Sequence, residues 1–520
     1  MTTVDQAGPV TGPTGRPWSS WLPLVAVVAV MAAFAASRLA VLGVPSEREY
    51  DEGVYLLSAR ALVRGHALFT DVFSSQPPAF LETLAAWMRI AGDTMERSRL
   101  LVVGFALVAI AAIADLGRRI AGPWAAPCAA AALAFGSTFG DLAHLVQAET
   151  PALALALASL DCCLRARDRG WSRGWLVASG AVFGLAALFK LLVLPLVIPL
   201  ALLLALAPGS GQATDWVLDG RGLALARRFV SRCWPLAAGA MLVAGLPLLF
   251  YDHAALYEQT VHFHVLKRSV YRLDPASNLR RAWKAVDDDP AVLAAALAGI
   301  LALARTSRLR AAWIAAAAVS AAGFLAAQTP IFWRHFVLLA SPLALAASGV
   351  PLLAARARSA SARGPLAGVL AVAALAALAW PAVVRPDLSS AMFPPSQAYL
   401  QRDREELPVR RAAAWISSHT AADEPVVSDD PIVVYLAGRQ SPGELCDTSS
   451  ARIHTGSLDL EKAVRETAPV RIVVLRGDGR LSHLRGYRAW LARHYDLEPA
   501  SRTGLGSQRA IWIRRERAER

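Results

Sequence analysis

Apolar runs of membrane-crossing length recur along this chain from residue 21 to residue 384, and they set its fold class. A hydrocarbon core of about 30 Å takes roughly 20 apolar helical residues. Eleven candidate spans follow: 21–43, 99–117, 122–140, 147–164, 174–189, 191–207, 233–251, 290–304, 311–328, 335–354 and 365–384. The stretch 174–207 reads as two spans or as one broken span. The first run is too long for a signal-peptide core and has no persuasive cleavage site. Composition agrees: 55% of the 520 residues are hydrophobic and only 18% charged, against about 25% charged in soluble domains. Mean hydropathy is +0.40. A disordered chain, a coiled coil and most soluble enzymes are excluded. The expectation is a polytopic α-helical membrane protein with a small C-terminal α/β domain.

The net charge is +13, and 49 of the 53 basic residues are Arg. Much of the excess falls in short loops on one side: Arg118 and Arg119, Arg165 to Arg173, Arg221 to Arg232, Arg305 to Arg310 and Arg356 to Arg363. The positive-inside rule makes that side the cytoplasm. Residues 1–20 are then a cytoplasmic tail, 21–385 a transmembrane domain, and 386–520 an extracytoplasmic domain of a multi-pass plasma-membrane protein. Nucleic acid is not an expected partner, because no basic cluster carries interleaved stacking aromatics. The five cysteines show neither CxxC nor His–Cys spacing, so no zinc site or disulfide framework is indicated.

Two outer segments are less membrane-like. Loop 44–98 reads as a short amphipathic helix over 53–63 and an interfacial helix over 79–90. Loop 252–289 holds Lys267, Arg268, Arg272, Arg280, Arg281 and Lys284. In 386–520, strands are expected at 425–427, 432–435, 470–475 and 511–513, with helices at 409–419, 458–467 and 487–495. The run 470–479 has a strand-then-glycine look but lacks GxGxxG and the P-loop.

After the first span come Glu47, Glu49, Asp51 and Glu52, four carboxylates within six residues. They fit a helix cap or a catalytic or metal-binding group at the membrane face. Further on lie Gln76-Pro77-Pro78, then Gln147-Ala148-Glu149-Thr150-Pro151, Phe189-Lys190, Trp333-Arg334-His335-Phe336 and Asp429-Asp430-Pro431. In this order and sidedness, with Tyr50-Asp51-Glu52-Gly53, they resemble membrane glycosyltransferases of the GT-C class. The nearest look is glycosyltransferase family 39, which contains protein O-mannosyltransferases and aminoarabinose-transferase-like enzymes. Gln76 departs from that pattern, since many relatives have Lys or His there.

The resemblance implies a sugar donor linked to polyprenyl phosphate, with membrane lipid around its tail and an acceptor protein, lipid or glycan. An acceptor alcohol needs a base, and a leaving lipid phosphate needs cations. Asp51 is the expected base, with Glu52 the alternative. Glu149, Tyr50 and Gln76 are candidates for acceptor or sugar hydroxyls, and Lys190, Arg334, Arg268 and Arg272 for the donor phosphate. Each has a plainer reading: Glu149 as a favoured helix-start acid, Lys190 as a snorkelling anchor, Arg334 with His335 as an interface anchor, Arg268 and Arg272 as solvated charges. No cofactor and no metal ligand set is assigned. A divalent metal is admitted by Glu49 and Asp51 in ExD spacing and by the His262/His264 cluster with Tyr257 and Glu258. A DxD is absent from this first loop. The competing classes are a transporter of polyprenyl-linked sugars and a non-catalytic assembly protein. No internal repeat favours the transporter.

Overall fold

The structure is a computed structural model that describes residues 21–45, 49–208, 216–357, 397–477, 479–499 and 509–515. The tail 1–20 and the expected span 365–384 lie outside the described residues. The other ten expected spans fall on helices. Five of these helices are long and apolar enough to cross a membrane: Leu22–Leu39, Met95–Ala121, Gly222–Phe250, Arg308–Ala326 and Trp333–Leu353. Shorter apolar helices accompany them at Ala125–Phe135, Arg173–Phe189, Leu191–Leu203 and Pro290–Thr306.

Local chemistry fixes the boundaries. The Met95–Ala121 helix starts where the Thr94 hydroxyl accepts the Arg97 amide at 3.3 Å, and it stops at Gly122 with φ 92°. The expected span 122–140 is instead the helix Ala125–Phe135, broken at Gly136 and followed by Ser137–Gly140. Eleven residues reach only about 16 Å. This helix is buried along nearly its whole length, between Leu22–Leu39, Met95–Ala121 and Val337–Ala347. Its alanines leave room for that close packing. After Phe189 the chain breaks at extended Lys190, makes a 3-10 turn over Leu191–Leu196 and resumes as Val197–Leu203. The run 174–207 is therefore two helical pieces around a polar joint.

The helix expected over 53–63 runs from Tyr50 to Val63 and is not amphipathic in its setting. Glu52 through Leu62 is almost continuously buried, because a second element covers the outer side. That element is the helix Pro431–Leu436, in the segment expected as a strand at 432–435. Asp430-Pro431 starts a helix there, and its Val/Ile run is apolar on every side because every side is covered. A Cβ at Gly53 would lie 2.4 Å from the Ile432 amide nitrogen, so only glycine permits this approach.

Four strands form one sheet, β1 (Val426–Ser428), β2 (Ile472–Arg476), β3 (Tyr495–Glu498) and β4 (Arg509–Arg514), in the order β1-β2-β4-β3. β1 and β2 are parallel; β4 is antiparallel to both neighbours. β3 was not expected from sequence, since its alternation of Tyr, Asp, Leu and Glu suits an edge strand only once β4 is beside it.

A polar clamp joins this region to the helical part. Arg60 pairs with Asp93 at 2.6 Å, donates to the carbonyls of Tyr435 and Arg439, and stacks 3.8 Å over the Tyr435 ring. The Tyr435 hydroxyl donates to Asp93 at 2.8 Å. Gly53→Val places methyl groups where the Ile432 backbone sits, and overpacking of this kind costs about 1–3 kcal/mol. The variant should melt at lower temperature in detergent, and limited proteolysis should open the 397–477 segment sooner. A wild-type melting and cleavage profile would refute this docking.

Candidate active site

A cavity of about 460 Å³ lies where the Tyr50–Val63 helix, the loop 73–76, the Phe263–Val270 helix, the Trp333–Phe336 turn and loop 447–451 meet. Asp51 enters it from the first turn of its helix. Arg334 enters from the turn that starts the Trp333–Leu353 span, and Lys190 from the break after Phe189. The three share one network. Arg334 Nη2 is 2.5 Å from Asp51 Oδ2, its Nε is 3.2 Å from Glu149 Oε1, and Lys190 Nζ donates to the same oxygen at 2.6 Å. Lys190 is buried, so it is no snorkelling anchor.

Several expected site residues are placed otherwise. Glu149 does not line the cavity; it is fully buried behind the two cations, and its Oε2 has no hydrogen-bond partner among the described residues. Glu52, the alternative base, points into the protein instead. It is fully buried, its oxygens accept from Arg99 at 2.8 and 2.6 Å, and Oε1 also accepts the Val146 amide at 2.9 Å. One residue further along a helix is about 100° further round, and that rotation separates Glu52 from Asp51. Arg272 is exposed and outside the cavity lining, whereas Arg268 lines it. Gln76 lines the cavity with its amide 3.3 Å from the Ser75 hydroxyl. Tyr50 lines it too, but its hydroxyl is engaged: it accepts the Thr448 amide at 2.7 Å and donates to Asp447 at 3.2 Å.

The metal readings disperse. Glu49 accepts from the Gln147 amide at 2.7 Å while Asp51 faces Arg334, so the ExD oxygens do not converge. His262 pairs with Glu258 outside the cavity, and His264 turns to the Ser75 carbonyl. Among the described residues no group of three or more His, Cys, Asp or Glu side chains is gathered that could hold a metal ion.

Sequence reasoning missed Lys267, His264 and Asp447 as cavity residues. With Arg268, the first two sit at positions i, i+3 and i+4 of the Phe263–Val270 helix, hence on one face. That spacing was legible had the loop been read as helical. Asp447 carries no local signal. Among the described residues, four cationic side chains (Lys190, Lys267, Arg268, Arg334) and two carboxylates (Asp51, Asp447) line the cavity. Lys267 makes no ion pair among the described residues. Burial, and Lys190 nearby, push its ammonium down to about 8. Burial and Lys267 hold the His264 imidazole down at about 4. Burial raises Glu49 to about 7, against the Gln147 amide and Arg334. Beside the charges the wall turns apolar, with Leu191, Leu194, Val265 and Phe332 exposed at its lip.

No curated protein matches the chain in sequence. Residues 75–234 match the family described as dolichyl-phosphate-mannose-protein mannosyltransferase. Among solved structures, ArnT from Cupriavidus metallidurans bound to undecaprenyl phosphate is similar at a TM-score of 0.58 and 16% identity, over 95% of this chain and 98% of that one. Its apo state gives 0.56 and 15%, over 96% and 98%. The archaeal oligosaccharyltransferase AglB from Archaeoglobus fulgidus, in complex with an inhibitory peptide and a dolichol-phosphate, gives 0.50 and 13%, over 89% and 70%.

The chain has the GT-C fold. The likeness to PMT-like membrane glycosyltransferases drawn from its motifs is supported by the fold along nearly the whole chain, and by sequence over 75–234. In this fold Asp51, from the acidic first loop, and Arg334, from the late aromatic-Arg turn, form an ion pair.

Two outcomes follow. Glu52→Gln leaves the buried Arg99 without a counter-charge, and breaking such a pair costs about 3–5 kcal/mol. Its melting temperature should fall clearly, while Asp51→Asn, at a partly exposed site, should melt near wild type. Equal melting of the two would show that Glu52 is not the structural carboxylate. The second concerns anion binding. Lys267 is charged below about pH 8 and neutral above it. Affinity of the cavity for an anion such as sulfate should therefore weaken as pH rises through that value. Lys267→Arg stays charged and should flatten this limb in a binding titration; an unchanged limb removes Lys267 from anion binding.

Proposed function

We propose that this chain is a membrane glycosyltransferase that moves a sugar from a polyprenyl-phosphate donor to an acceptor hydroxyl at the outer face of the plasma membrane. The observation that carries the reading is the cavity itself: a carboxylate, Asp51, paired with Arg334 within a set of cations, beside an apolar lip. The lipid chain lies along Leu191 and Leu194, and the phosphate meets Lys190, Lys267, Arg268 and Arg334. The solved neighbours with bound undecaprenyl phosphate and dolichol-phosphate support a lipid phosphate as the anion. The wider arrangement follows the charge pattern of the loops: about eleven spans, a cytoplasmic N-terminus, and both the cavity and residues 386–520 outside.

The chemistry is a single displacement. The acceptor oxygen bonds to the anomeric carbon, the carbon–phosphate-oxygen bond breaks, and the acceptor proton passes to Asp51. Configuration at the anomeric carbon inverts. The donor phosphate competes with Asp51 for Arg334, which loosens the 2.5 Å ion pair and frees Asp51 toward the acceptor. Lipid phosphate leaves as a stable anion, so cations suffice without a general acid. Gln76 supplies a hydrogen bond where many relatives place a charge, and Lys267 and Arg268 supply charge from the other wall. Glu149 holds Lys190 and Arg334 in register and does not itself meet substrate.

Membranes containing the chain, given a panel of labelled polyprenyl-phosphate sugars, should transfer label from one of them to protein, lipid or glycan. Asp51→Asn should lower that rate about 10²- to 10⁴-fold while polyprenyl phosphate still binds. Wild-type rates in this variant would exclude Asp51 as the base. Movement of labelled lipid across the bilayer without transfer would favour a transporter instead.

A further inference from the structure

We infer that Asp447, delivered by the C-terminal region, holds a hydroxyl of the donor sugar and selects which sugar is transferred. The inference rests on the glycosyltransferase reading above. Among the described residues only two carboxylates line the cavity, and the second is Asp447.

Its oxygens are not equivalent. Oδ1 accepts the Ser449 amide at 2.8 Å and the Tyr50 hydroxyl at 3.2 Å. Oδ2 accepts no hydrogen bond among the described residues. The loop beneath is held from several directions. Arg452 donates to the Asp447 carbonyl at 2.7 Å and stacks 3.7 Å over the Phe73 ring. Tyr50, which receives the Thr448 amide, has Arg480 3.6 Å over its own ring. A carboxylate fixed through one oxygen, with the other left for the cavity, is preorganised for a ligand.

The ligand's chemistry is limited. A carboxylate only accepts hydrogen bonds, and it repels a phosphate. The lipid phosphate belongs among the cations beside the apolar lip. The neutral part of the donor that carries hydroxyls is the sugar, one bond beyond the phosphate. Asp447 and Ser449 together offer that sugar an acceptor and a hydroxyl. A charged acceptor engaged by a substrate hydroxyl discriminates strongly, because a deoxy analogue leaves it desolvated and unpaired.

The test uses the full chain in detergent or membranes, the best donor found for the wild type, and donors lacking single hydroxyls. Asp447→Asn keeps the acceptor for Ser449 and Tyr50 but weakens the bond to the sugar. With the parent donor, kcat/KM should fall about 10- to 100-fold. With one of the deoxy donors the two proteins should come within a few fold, so that discrimination at that hydroxyl collapses. Affinity for sugar-free undecaprenyl phosphate should stay near wild type, as should the melting temperature. Tyr50→Phe frees the carboxylate without removing it, and should lose discrimination at the same hydroxyl to a smaller degree. The inference is overturned if Asp447→Asn keeps wild-type discrimination against every deoxy donor. It is also overturned if sugar-free lipid phosphate binding falls in parallel with turnover, or if kcat drops equally for all donors, which would make Asp447 a base. A wild type that transfers from no polyprenyl-phosphate sugar would instead sink the glycosyltransferase reading, a failure visible before any variant is made.

Discussion

Glu149 is the charge around which the cavity is arranged. It is fully buried, and Lys190 and Arg334 both reach its Oε1 from helix ends far apart in the chain. A carboxylate in such a place is tolerated only with cations bound to it. Its presence therefore obliges the break after Phe189 and the turn at Trp333–Phe336 to meet there. Arg334 then extends the constraint to Asp51. The cavity's charges are positioned by one buried requirement, and the cations are part-neutralised before any anion arrives. That leaves Lys267 and Arg268, from the opposite wall, as the less compensated charges.

A second constraint ties the C-terminal region to the same place. The Pro431–Leu436 helix covers the Tyr50–Val63 helix through the contact at Gly53, and Arg60 binds Asp93, Tyr435 and Arg439 together. The helix that carries Asp51 is thereby buried on its outer side as well as its inner side. The C-terminal region also forms part of the cavity wall through Asp447, Ser449 and Ala451.

What could be read from the sequence divides along the range of the interactions. Asp51, Lys190 and Arg334 stand at membrane boundaries, where hydropathy isolates a charge, and each reaches or frames the cavity. Glu52 stood as the alternative to Asp51, because one-dimensional proximity hides a rotation around a helix; Arg99 beside it shows that it points inward. Glu149 was visible as a charge, but its burial behind the cations was not. The segment 432–435 misled because a Val/Ile run is the same for a strand as for a helix covered on all sides. Asp447 was out of reach, since its meaning depends on Tyr50, 397 positions earlier.

That separation has a consequence for biogenesis. The chain makes Asp51 and its helix near the start and the 447–451 wall near the end. Until the late segment docks on Gly53 and Tyr50, the acidic helix lacks its outer cover and the cavity lacks one side. A partly synthesised chain already inserted in lipid would carry Asp51 but not the wall that Asp447, Ser449 and Ala451 supply. The cavity is thus enclosed only once the 447–451 segment has docked, however early its other walls are made.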